Sequence, residues 1–582
     1  MSFCAMRALL PLLLCLATSA LAAERKLNVL FIAVDDLRPD IGCYGNSVVK
    51  TPNLDRLGKA GMIFTKAYCS QAVCSPSRTS MLTGHRPDST RVWDLETHFR
   101  VALPNVVTLP QHFKNNGYFV QGMGKIYHGG FDDGPSWSVP WGAPNAEKFA
   151  KKESSIGDKG AAFENADVAD DFYLDGKVAR LAAQTLSELK KKDQPFFLAV
   201  GFAKPHLPFV APKKYWDLYD RSKIPGSPTD KLPEGAPEYA GHNNSELHSY
   251  GNIPKGNPIP EDLARELRHG YYAATSYMDA QLGLVLDALD REGLADKTVI
   301  VLWGDHGWQL GEHGLWHKHT NYELAARAPL FIAVPSIGTA GQKSASLAEF
   351  VDVYPTLADV CGLPKVEGLA GVSLKPVLQN PAASVNKHAL SQYPRKAPEG
   401  NVMGYSIRTD RWRLVLWRTL KENKVVSTEL YDEDNDPDET VNIASKPEHK
   451  AVVEELSQFL PPPIPPASGG APIPSTKGGK KGNKGSKVEA GLQPAAVPTG
   501  SSTPAPASPS ASTPPHVPGA EDVAAQRGAS FDKRDLDKNG KLTKEEFMAK
   551  QKDPEHAAQN FLRFDKDKSG DINREEYIKM GK

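Results

Sequence analysis

The chain has 582 residues, and its 69 lysines and arginines are balanced by 69 aspartates and glutamates. A chain of this length holds one large domain with appendages. Because the formal net charge is zero, the composition argues against a general binder of nucleic acid or of anionic membranes. We therefore expect no nucleic-acid partner.

Residues 1–22 have the features of a secretory signal peptide. Arg7 precedes an apolar run at 8–17, and Ala20 and Ala22 have the small side chains of a cleavage site. The apolar run is shorter than the roughly 20 residues that a membrane-spanning helix needs. We expect cleavage, export to the periplasm or the extracellular space, and no transmembrane span.

Cleavage leaves four cysteines, Cys43, Cys69, Cys74 and Cys361. So few cysteines in so long a chain exclude a disulfide-rich scaffold. A bridge between Cys69 and Cys74 is compatible with their spacing, and this pairing stays open here. If Cys74 has another role, the other three form an odd set, and at least one of them stays unpaired.

Four apolar runs within residues 23–380 predict the strands of a largely parallel sheet. They lie at 27–34, 118–123, 195–202 and 298–303, and each is rich in β-branched or aromatic residues. Nearly continuous apolarity suits strands that are buried on both faces. The segments between these runs are amphipathic or loop-like, so the sequence predicts an α/β catalytic domain.

Charged and imidazole side chains follow each of the four runs. In open α/β sheets, ligands bind beyond the carboxyl ends of the strands, so four such ends indicate a single site. A charged residue after one strand is usually only solvated, but that explanation does not account for four strands together. The residues concerned are Asp35, Asp36, Lys125, His128, Lys204, His206, Asp305 and His306.

Three further segments complete the predicted organisation of the first 519 residues. Apolar residues at helical spacing over 262–292 predict a helix that packs this stripe in the core. Residues 381–460 predict a smaller α+β subdomain, with a half-buried strand at 411–418 and a final helix at 446–460. Residues 461–519 are rich in Pro, Gly, Ser and Lys, which predicts a disordered linker.

Two twelve-residue segments, 535–546 and 565–576, fit the EF-hand calcium loop. Two such loops in phase predict a helical EF-hand pair over residues 520–582 that binds up to two Ca²⁺ ions. Leu542 and Ile572 hold the same loop position and are placed to pair with each other. The residues expected to hold the ions are Asp535, Asp537, Asn539, Lys541, Glu546, Asp565, Asp567, Ser569, Asp571 and Glu576.

The segment CSPSRTSMLTG at 74–84 begins a predicted helix. Ser75 suits the N-cap, Pro76 suits the first helical position, and the final Thr-Gly is a helix stop. Cys74 would then lie just outside a helix N-terminus, where backbone N–H groups and the helix dipole favour anions. Arg78 lies less than one turn into the helix and can reach back toward position 74. The segment predicts a pocket for a tetrahedral oxyanion.

This segment resembles the signature of the type I sulfatases, C-x-P-S-R-x-S-x-L-T-G, and the resemblance extends over residues 27–460. The family has an alkaline-phosphatase-like α/β fold. The stretches GKIYHGG, KPHLPF and GDHGWQLGEHGLWHKHTNYE are most similar to its iduronate-2-sulfatase branch. In the family, a maturation enzyme oxidises the signature cysteine to formylglycine, and the hydrated aldehyde is the nucleophile.

The resemblance implies one metal ion and a set of catalytic residues. Oxygen-rich ligation favours Ca²⁺ or Mg²⁺ over zinc, and we expect Ca²⁺. Arg78, Lys125 and Lys318 would offset the charge on the sulfate oxygens. His206, with Lys318, would protonate the departing alcohol, and His128 would act as the later base. The implied metal ligands are Asp35, Asp36, Cys74, Asp305 and His306, the catalytic residues are Cys74, Arg78, Lys125, His128, His206 and Lys318, and the expected substrate contacts are Lys204 and Trp308.

The function implied is hydrolysis of sulfate esters, with sulfated carbohydrates as the expected substrates. Two alternatives stay open. One is a phosphatase or phosphodiesterase of the same superfamily, and the other is a non-catalytic, calcium-regulated glycan-binding protein in which Cys74 is unmodified. His313, His317 and His319 lie beside Lys318, and for them a rim or structural role is favoured over a second metal site.

Overall fold

The computed structural model describes residues 26–335, 337–464, 531–532, 535, 537–548, 561, 569–574 and 577. The expected signal peptide and almost all of the expected linker lie outside these residues, as do Asp565, Asp567 and Glu576 of the second calcium loop. The chain divides into two compact units, residues 1–482 and 483–582.

The strands of the first unit account for all four predicted apolar runs, with bounds that differ by at most one residue. They are β1 (Asn28–Val34), β2 (Met62–Tyr68), β3 (Phe119–Gly124), β4 (Phe163–Glu164), β5 (Phe196–Phe202), β6 (Phe209–Val210), β7 (Thr298–Gly304), β8 (Leu330–Ala333), β9 (Lys343–Glu349), β10 (Ala389–Ala397), β11 (Gly400–Arg408), β12 (Trp412–Thr419) and β13 (Val425–Asp432).

The central sheet has seven strands in the order β3-β5-β1-β7-β8-β2-β9. The strands β3, β5, β1 and β7 are consecutive neighbours and parallel. Strand β8 runs antiparallel to both of its neighbours. The sheet is therefore largely parallel, as predicted, and the carboxyl ends of the four predicted strands lie side by side along one edge.

The α-helices of the first unit cover both faces of this sheet. None of the described helices combines the length and the apolar character that a membrane span requires. The helices are α1 (Pro52–Ala60), α2 (Cys74–Thr83), α3 (Pro87–Thr90), α4 (Leu109–Asn115), α5 (Leu174–Leu189), α6 (Lys213–Trp216), α7 (Ser245–His248), α8 (Glu261–Arg291), α9 (Glu323–Ala326), α10 (Val353–Val360), α11 (Lys375–Gln379) and α12 (Lys450–Ser457).

The hydrophobic core consists of two layers, one on each face of the central sheet. Along β1, Leu30 and Ile32 pack in the layer with α1, α5 and α8. Phe31 and Ala33 pack on the opposite face with α2, α4 and α10. Every residue of β1 is buried, which is why the run is apolar throughout rather than alternating. The long helix α8 was predicted for this core, and its stripe includes buried Leu282 and Leu286.

A second sheet, β10-β11-β12-β13, is antiparallel throughout. The prediction that β12 is half-buried is wrong, because every residue after Trp412 in this strand is buried. Arg413 is 0% exposed, and its guanidinium forms ion pairs with Glu323, Glu433 and Glu439. The charge of Arg413 is therefore paired inside the protein instead of facing water.

The second unit contains the short strands β14 (Lys541–Thr543) and β15 (Asp571–Asn573) and the helix α13 (Lys544–Met548). The strands pair antiparallel, and Leu542 lies opposite Ile572, so the predicted pairing between the loops is confirmed. Both side chains lie in one buried cluster with aromatic residues from the flanking segments. The cluster comprises Phe531, Leu542, Phe547, Phe561, Ile572 and Tyr577.

We expect Arg413→Ala to lower the free energy of unfolding of the first unit by roughly 3–5 kcal/mol. The variant leaves the buried carboxylate of Glu439 without its cation, whereas Glu323 and Glu433 keep their ion pairs with Arg408. Urea unfolding followed by tryptophan fluorescence measures this loss, since all 9 tryptophans precede the linker. Arg411→Ala is the matched control, because the Arg411 side chain is 47% exposed and pairs with Asp432. The two variants should differ clearly in stability, and equal losses would contradict a role for the buried network.

Candidate active site

The ends of β1 and β7 bring three carboxylates and one imidazole together. Asp35, Asp36, Asp305 and His306 are each 0% exposed. The backbone N–H of Asp36 donates to Oδ1 of Asp305 at 3.0 Å, which ties the two strand ends. Nε2 of His306 lies 3.4 Å from Oδ1 of Asp36 and 3.5 Å from Oδ1 of Asp305. These four predicted residues therefore form one group.

Helix α2 begins at Cys74, two residues earlier than predicted. Val73 is the N-cap residue and makes no side-chain capping bond, so the assignment of Ser75 as N-cap is wrong. Cys74 still lies in the first turn, where backbone N–H groups have no partner within the helix. The helix ends at Gly84, whose φ of 71° is left-handed, as the Thr-Gly stop predicts.

Arg78 joins the helix α2 to three strand ends. Its side chain is fully buried, with Nε donating to Oδ2 of Asp305 at 2.8 Å and Nη2 donating to Oδ1 of Asp35 at 3.2 Å. Its Nη1 donates to the carbonyl of Ile126 at 3.0 Å, just beyond β3. The guanidinium thus holds the carboxylates in place, and most of its donors are already occupied.

Lys125 lies between Asp35 and the signature cysteine. Its Nζ forms an ion pair with Oδ2 of Asp35 and lies 4.0 Å from Sγ of Cys74. Burial by itself would raise the pKa of Asp35, but the charges of Lys125, His206 and Arg78 bring that pKa well below its usual range. Asp35 is therefore ionised throughout the neutral range.

The thiol of Cys74 lies at the centre of this group. It is 2% exposed, and Sγ lies 3.4 Å from Nε2 of His306. Burial and the charge of Asp35 raise the pKa of this thiol well above its usual value, so it is held in the less nucleophilic protonated form. All four described cysteines are free, so a Cys69–Cys74 bridge is not formed.

Lys318 and His206 lie on the other side of Asp36 and share a carboxylate that the sequence did not reveal. Nζ of Lys318 lies 3.2 Å and 3.3 Å from the two carboxylate oxygens of Asp36 and donates to Oε1 of Glu246 at 3.1 Å. Nε2 of His206 lies 3.4 Å from the same Oε1 atom. Glu246 is in the short helix α7, in a loop without a recognisable motif, so only the fold reveals it.

The loop after β5 is held by two buried charges. Nζ of Lys204 donates to the carbonyls of His206 and Pro208, each at 2.7 Å. The carboxylate of Asp175, a second residue that the sequence did not reveal, accepts from the backbone N–H groups of Ala203 and Lys204 at 2.8 Å each. Lys204 was expected to contact substrate. The structure instead directs its ammonium to carbonyls of its own loop, where it positions His206.

His128 and Trp308 complete the predicted set. Nδ1 of His128 is buried without a hydrogen-bond partner, and burial together with the charge of Lys125 lowers the pKa of His128 to about 4. Trp308 is 1% exposed, and Nζ of Lys318 lies 4.7 Å from its ring centroid. The ring of Trp308 therefore supports the lysine that faces Asp36.

The donor atoms of Asp35, Asp36, Cys74 and His306 all lie within 4.8 Å of one another. Two of these donors are buried carboxylates and one is a buried imidazole, and Asp305 adds a further buried carboxylate beside them. Converging carboxylate oxygens are the ligands that Ca²⁺ and Mg²⁺ prefer. The residues present therefore fit a divalent cation at this edge of the sheet.

In the second unit, the first calcium loop has its predicted ligands together. Donor atoms of Asp535, Asp537 and Glu546 lie within 4.8 Å of one another. The backbone N–H of Gly540, with a φ of 80°, donates to Oδ2 of Asp535 at 2.8 Å. Oγ1 of Thr543 donates to Glu546 at 3.0 Å. The described part of this loop has the turn that an EF-hand ion site needs.

Comparison with known proteins identifies the same units. The sulfatase family profile matches residues 27–363, and the profile of the C-terminal region of N-sulphoglucosamine sulphohydrolase matches residues 311–462. The EF-hand profile matches residues 529–549 and 559–580. The iduronate 2-sulfatase of Mus musculus is 35% identical over an alignment of 517 positions, and the match covers 75% of this chain and 94% of that protein.

Two solved structures show the same fold. One, determined in complex with its substrate D-glucosamine-2-N,6-O-disulfate, has a TM-score of 0.61 and 22% identity over 74% of this chain and 96% of that chain. The other, the phosphonate monoester hydrolase of Agrobacterium radiobacter, has a TM-score of 0.59 and 24% identity over 74% of this chain and 94% of that one. The chain therefore belongs to the sulfatase family, as an iduronate-2-sulfatase-like sulfuric ester hydrolase that carries C-terminal EF-hands.

Proposed function

We propose that this protein is an exported, calcium-dependent sulfatase that acts on sulfated carbohydrates through a formylglycine made from Cys74 by a maturation enzyme. The observation that supports it most strongly is the position of Cys74. Its Sγ lies at the first turn of α2, 3.4 Å from Nε2 of His306 and 4.0 Å from Nζ of Lys125. Two relatives support a carbohydrate substrate. One is named for iduronate, and the structure of the other contains a glucosamine disulfate.

Conversion of Cys74 would supply a nucleophile that the buried, protonated thiol does not. The hydrate of formylglycine carries two hydroxyl groups on one carbon, one to attack sulfur and one to release the product afterwards. A bound Ca²⁺ would be held by Asp35, Asp36, Asp305 and His306 and would polarise the sulfate oxygens as a Lewis acid. These residues fit both the calcium ion and the formylglycine, because their side chains converge on position 74.

Lys125 and Lys318 bind the sulfate group in this proposal. Each lies on a different side of the carboxylate cluster, with Lys125 against Asp35 and Lys318 against Asp36. Fixed cations of this kind stabilise charge that develops on oxygen without having to reorganise. Arg78 was expected to share this role. Its donors are bound to Asp305 and Asp35, so we assign it to positioning the carboxylates.

Lys318 carries the proton that the departing alcohol receives. Burial opposes its charge, but Asp36 and Glu246 hold the pKa of Lys318 well above its usual value. Burial and the charge of Lys318 lower the pKa of His206, so this imidazole is neutral in the resting pocket. Both groups contact Oε1 of Glu246, and His206 is therefore placed to orient the lysine or to pass on its proton.

His128 acts as the base in the step that releases sulfate. With a pKa of about 4, its imidazole is neutral through the neutral range and able to accept a proton. Its Nδ1 atom has no competing hydrogen-bond partner. The role matches general-base catalysis, in which the group must be unprotonated when it acts.

We assign catalysis to residues 23–460, with 23–380 as the catalytic domain and 381–460 as its α+β subdomain. Residues 461–519 are then a linker and residues 520–582 an appended calcium-binding pair. The four-stranded sheet over Ala389–Asp432 supports the subdomain. The paired loops at Leu542 and Ile572 support the calcium-binding pair.

Mass spectrometry of the peptide that carries position 74, from the natively matured protein, should show the aldehyde or its hydrate. Cys74→Ala should abolish hydrolysis of an aryl sulfate, because no other described side chain occupies that point. Cys69→Ala is the matched control, since Cys69 is also buried and free, and it should retain activity. An active enzyme with an unmodified cysteine at position 74 would refute the formylglycine mechanism.

Removal of divalent ions with a chelator should abolish aryl-sulfate hydrolysis, and Ca²⁺ should restore it. Asp36→Asn should prevent the recovery, because it replaces a buried ligand by a neutral amide. Glu546→Gln in the first EF-hand loop should recover as the wild type does. If Glu546→Gln instead loses the recovery and Asp36→Asn keeps it, the catalytic ion has been assigned to the wrong unit.

His128→Ala should lower kcat by about 10²–10⁴-fold, the usual contribution of a general base. Because His128 acts after the alcohol has left, the variant should release one rapid equivalent of alcohol and then turn over slowly. In the wild type this base is lost only as the pH falls through about 4, so kcat should show no loss from this group between pH 8 and pH 5. A slow first equivalent in His128→Ala would place the residue in the earlier step.

A further inference from the structure

A second cluster of candidate metal donors lies beside the active site. It consists of Glu246, His317 and His319, whose donor atoms all lie within 4.8 Å of one another. His317 is 0% exposed, and neither of its ring nitrogens has a hydrogen-bond partner. Nε2 of His319 and Oε2 of Glu246 are also buried without partners. The catalytic groups use only the other oxygen of Glu246.

Unpartnered buried polar atoms are uncommon, because each has lost its water without gaining a protein partner. Here four such atoms belong to three neighbouring side chains. A structural histidine of the core would bond a carbonyl or a hydroxyl, as buried His313 does with the carbonyl of Asp438 at 2.8 Å. His317 has no such bond. A fully buried ring is also out of reach of a carbohydrate, so the missing partner must be small.

The rings of this cluster are held rigidly. His242 stacks on His317 with 3.5 Å between ring centroids and 11° between planes. Nδ1 of His242 accepts from the backbone N–H of Asn244 at 3.2 Å, which fixes the stacking ring. His319 stands edge-on to His317, at 4.5 Å and 80°. Two imidazoles in nearly perpendicular planes present their nitrogens from different directions, as ligands around one ion do.

The donor set distinguishes between classes of ion. Two imidazole nitrogens with one glutamate oxygen match the three-ligand sites of zinc enzymes, whereas Ca²⁺ takes oxygen ligands. Lys318 and Arg395, which donates to the carbonyl of His319, add positive charge nearby. These positive charges disfavour an ion that binds this cluster by electrostatic attraction alone. Zinc and similar ions also form strong bonds to imidazole nitrogen, which favours their binding here.

We propose that Glu246, His317 and His319 form a second metal site that takes Zn²⁺, separate from the Asp35 and Asp36 site. The ion would bind Oε2 of Glu246, while Oε1 of the same carboxylate holds Lys318 and lies 3.4 Å from Nε2 of His206. Occupancy of this site would therefore alter the charge that the proton-donating lysine faces.

The test measures zinc retained by the full-length, untagged protein after equilibrium dialysis in excess Ca²⁺, by elemental mass spectrometry. The wild type should retain one equivalent of Zn²⁺ that His317→Ala and Glu246→Gln lose, with affinity at least about 100-fold weaker in each variant. His85→Ala is the control for loss of an imidazole elsewhere, and it should match the wild type. Equal zinc retention in His317→Ala and the wild type, or none in the wild type, overturns the proposal.

A second readout uses Co²⁺, whose visible absorption reports nitrogen ligation and a four-coordinate geometry. Titration of the wild type with Co²⁺ should produce an absorption band that Zn²⁺ removes. If His317→Ala does not fold, as judged by near-ultraviolet circular dichroism, His319→Gln replaces it, because position 319 is only partly buried. An unchanged cobalt band in that variant overturns the proposal as well.

Discussion

The buried guanidinium of Arg78 is the interaction on which this active site depends. It reaches from the first helical turns of α2 to Asp305 and Asp35, and so it fixes the distance between the helix N-terminus and two strand ends. A buried arginine is strongly destabilising unless carboxylates surround it. The same carboxylates repel one another unless a cation lies between them. The buried guanidinium and the buried carboxylates therefore stabilise one another.

The charges around position 74 nearly cancel before any ion binds. Four carboxylates, those of Asp35, Asp36, Asp305 and Glu246, face the three cations Arg78, Lys125 and Lys318. The group has one net negative charge if all are ionised, which would repel a sulfate ester. A divalent cation reverses this sign and makes the pocket attractive to anions. In the proposed mechanism, metal binding and substrate binding are thus linked electrostatically as well as through direct ligation.

The sequence was sufficient to predict the strands and the edge at which the site lies. Continuous apolar runs mark strands buried on both faces, and the four predicted runs are adjacent and parallel. Their terminal charges therefore had to converge. The signature at 74–84 located the helix to within two residues, since a good N-cap residue at Ser75 does not prevent the helix from starting two residues earlier.

Residues that act through tertiary contacts were not predictable in the same way. Glu246 and Asp175 have no periodic or motif context, and their roles follow only from what they touch. The charge alternation in β12 was interpreted as exposure, because sequence patterns do not show that Arg413 finds buried carboxylates from other segments. Lys204 illustrates the same limit, since a strand-end lysine can satisfy carbonyls of its own loop.

The antiparallel sheet has a consequence for how this enzyme loses activity. The segment after Lys318 is bound to that sheet, because Nδ2 of Asn321 donates to the carbonyl of Gly404 at 3.2 Å and Glu323 pairs with Arg413. The carboxylates at the ends of β1 and β7 belong to the central sheet instead. Local opening of the smaller sheet would therefore release Lys318, the proposed proton donor, while the proposed metal ligands stay assembled. Such a partly opened molecule would still bind a sulfate ester without cleaving it.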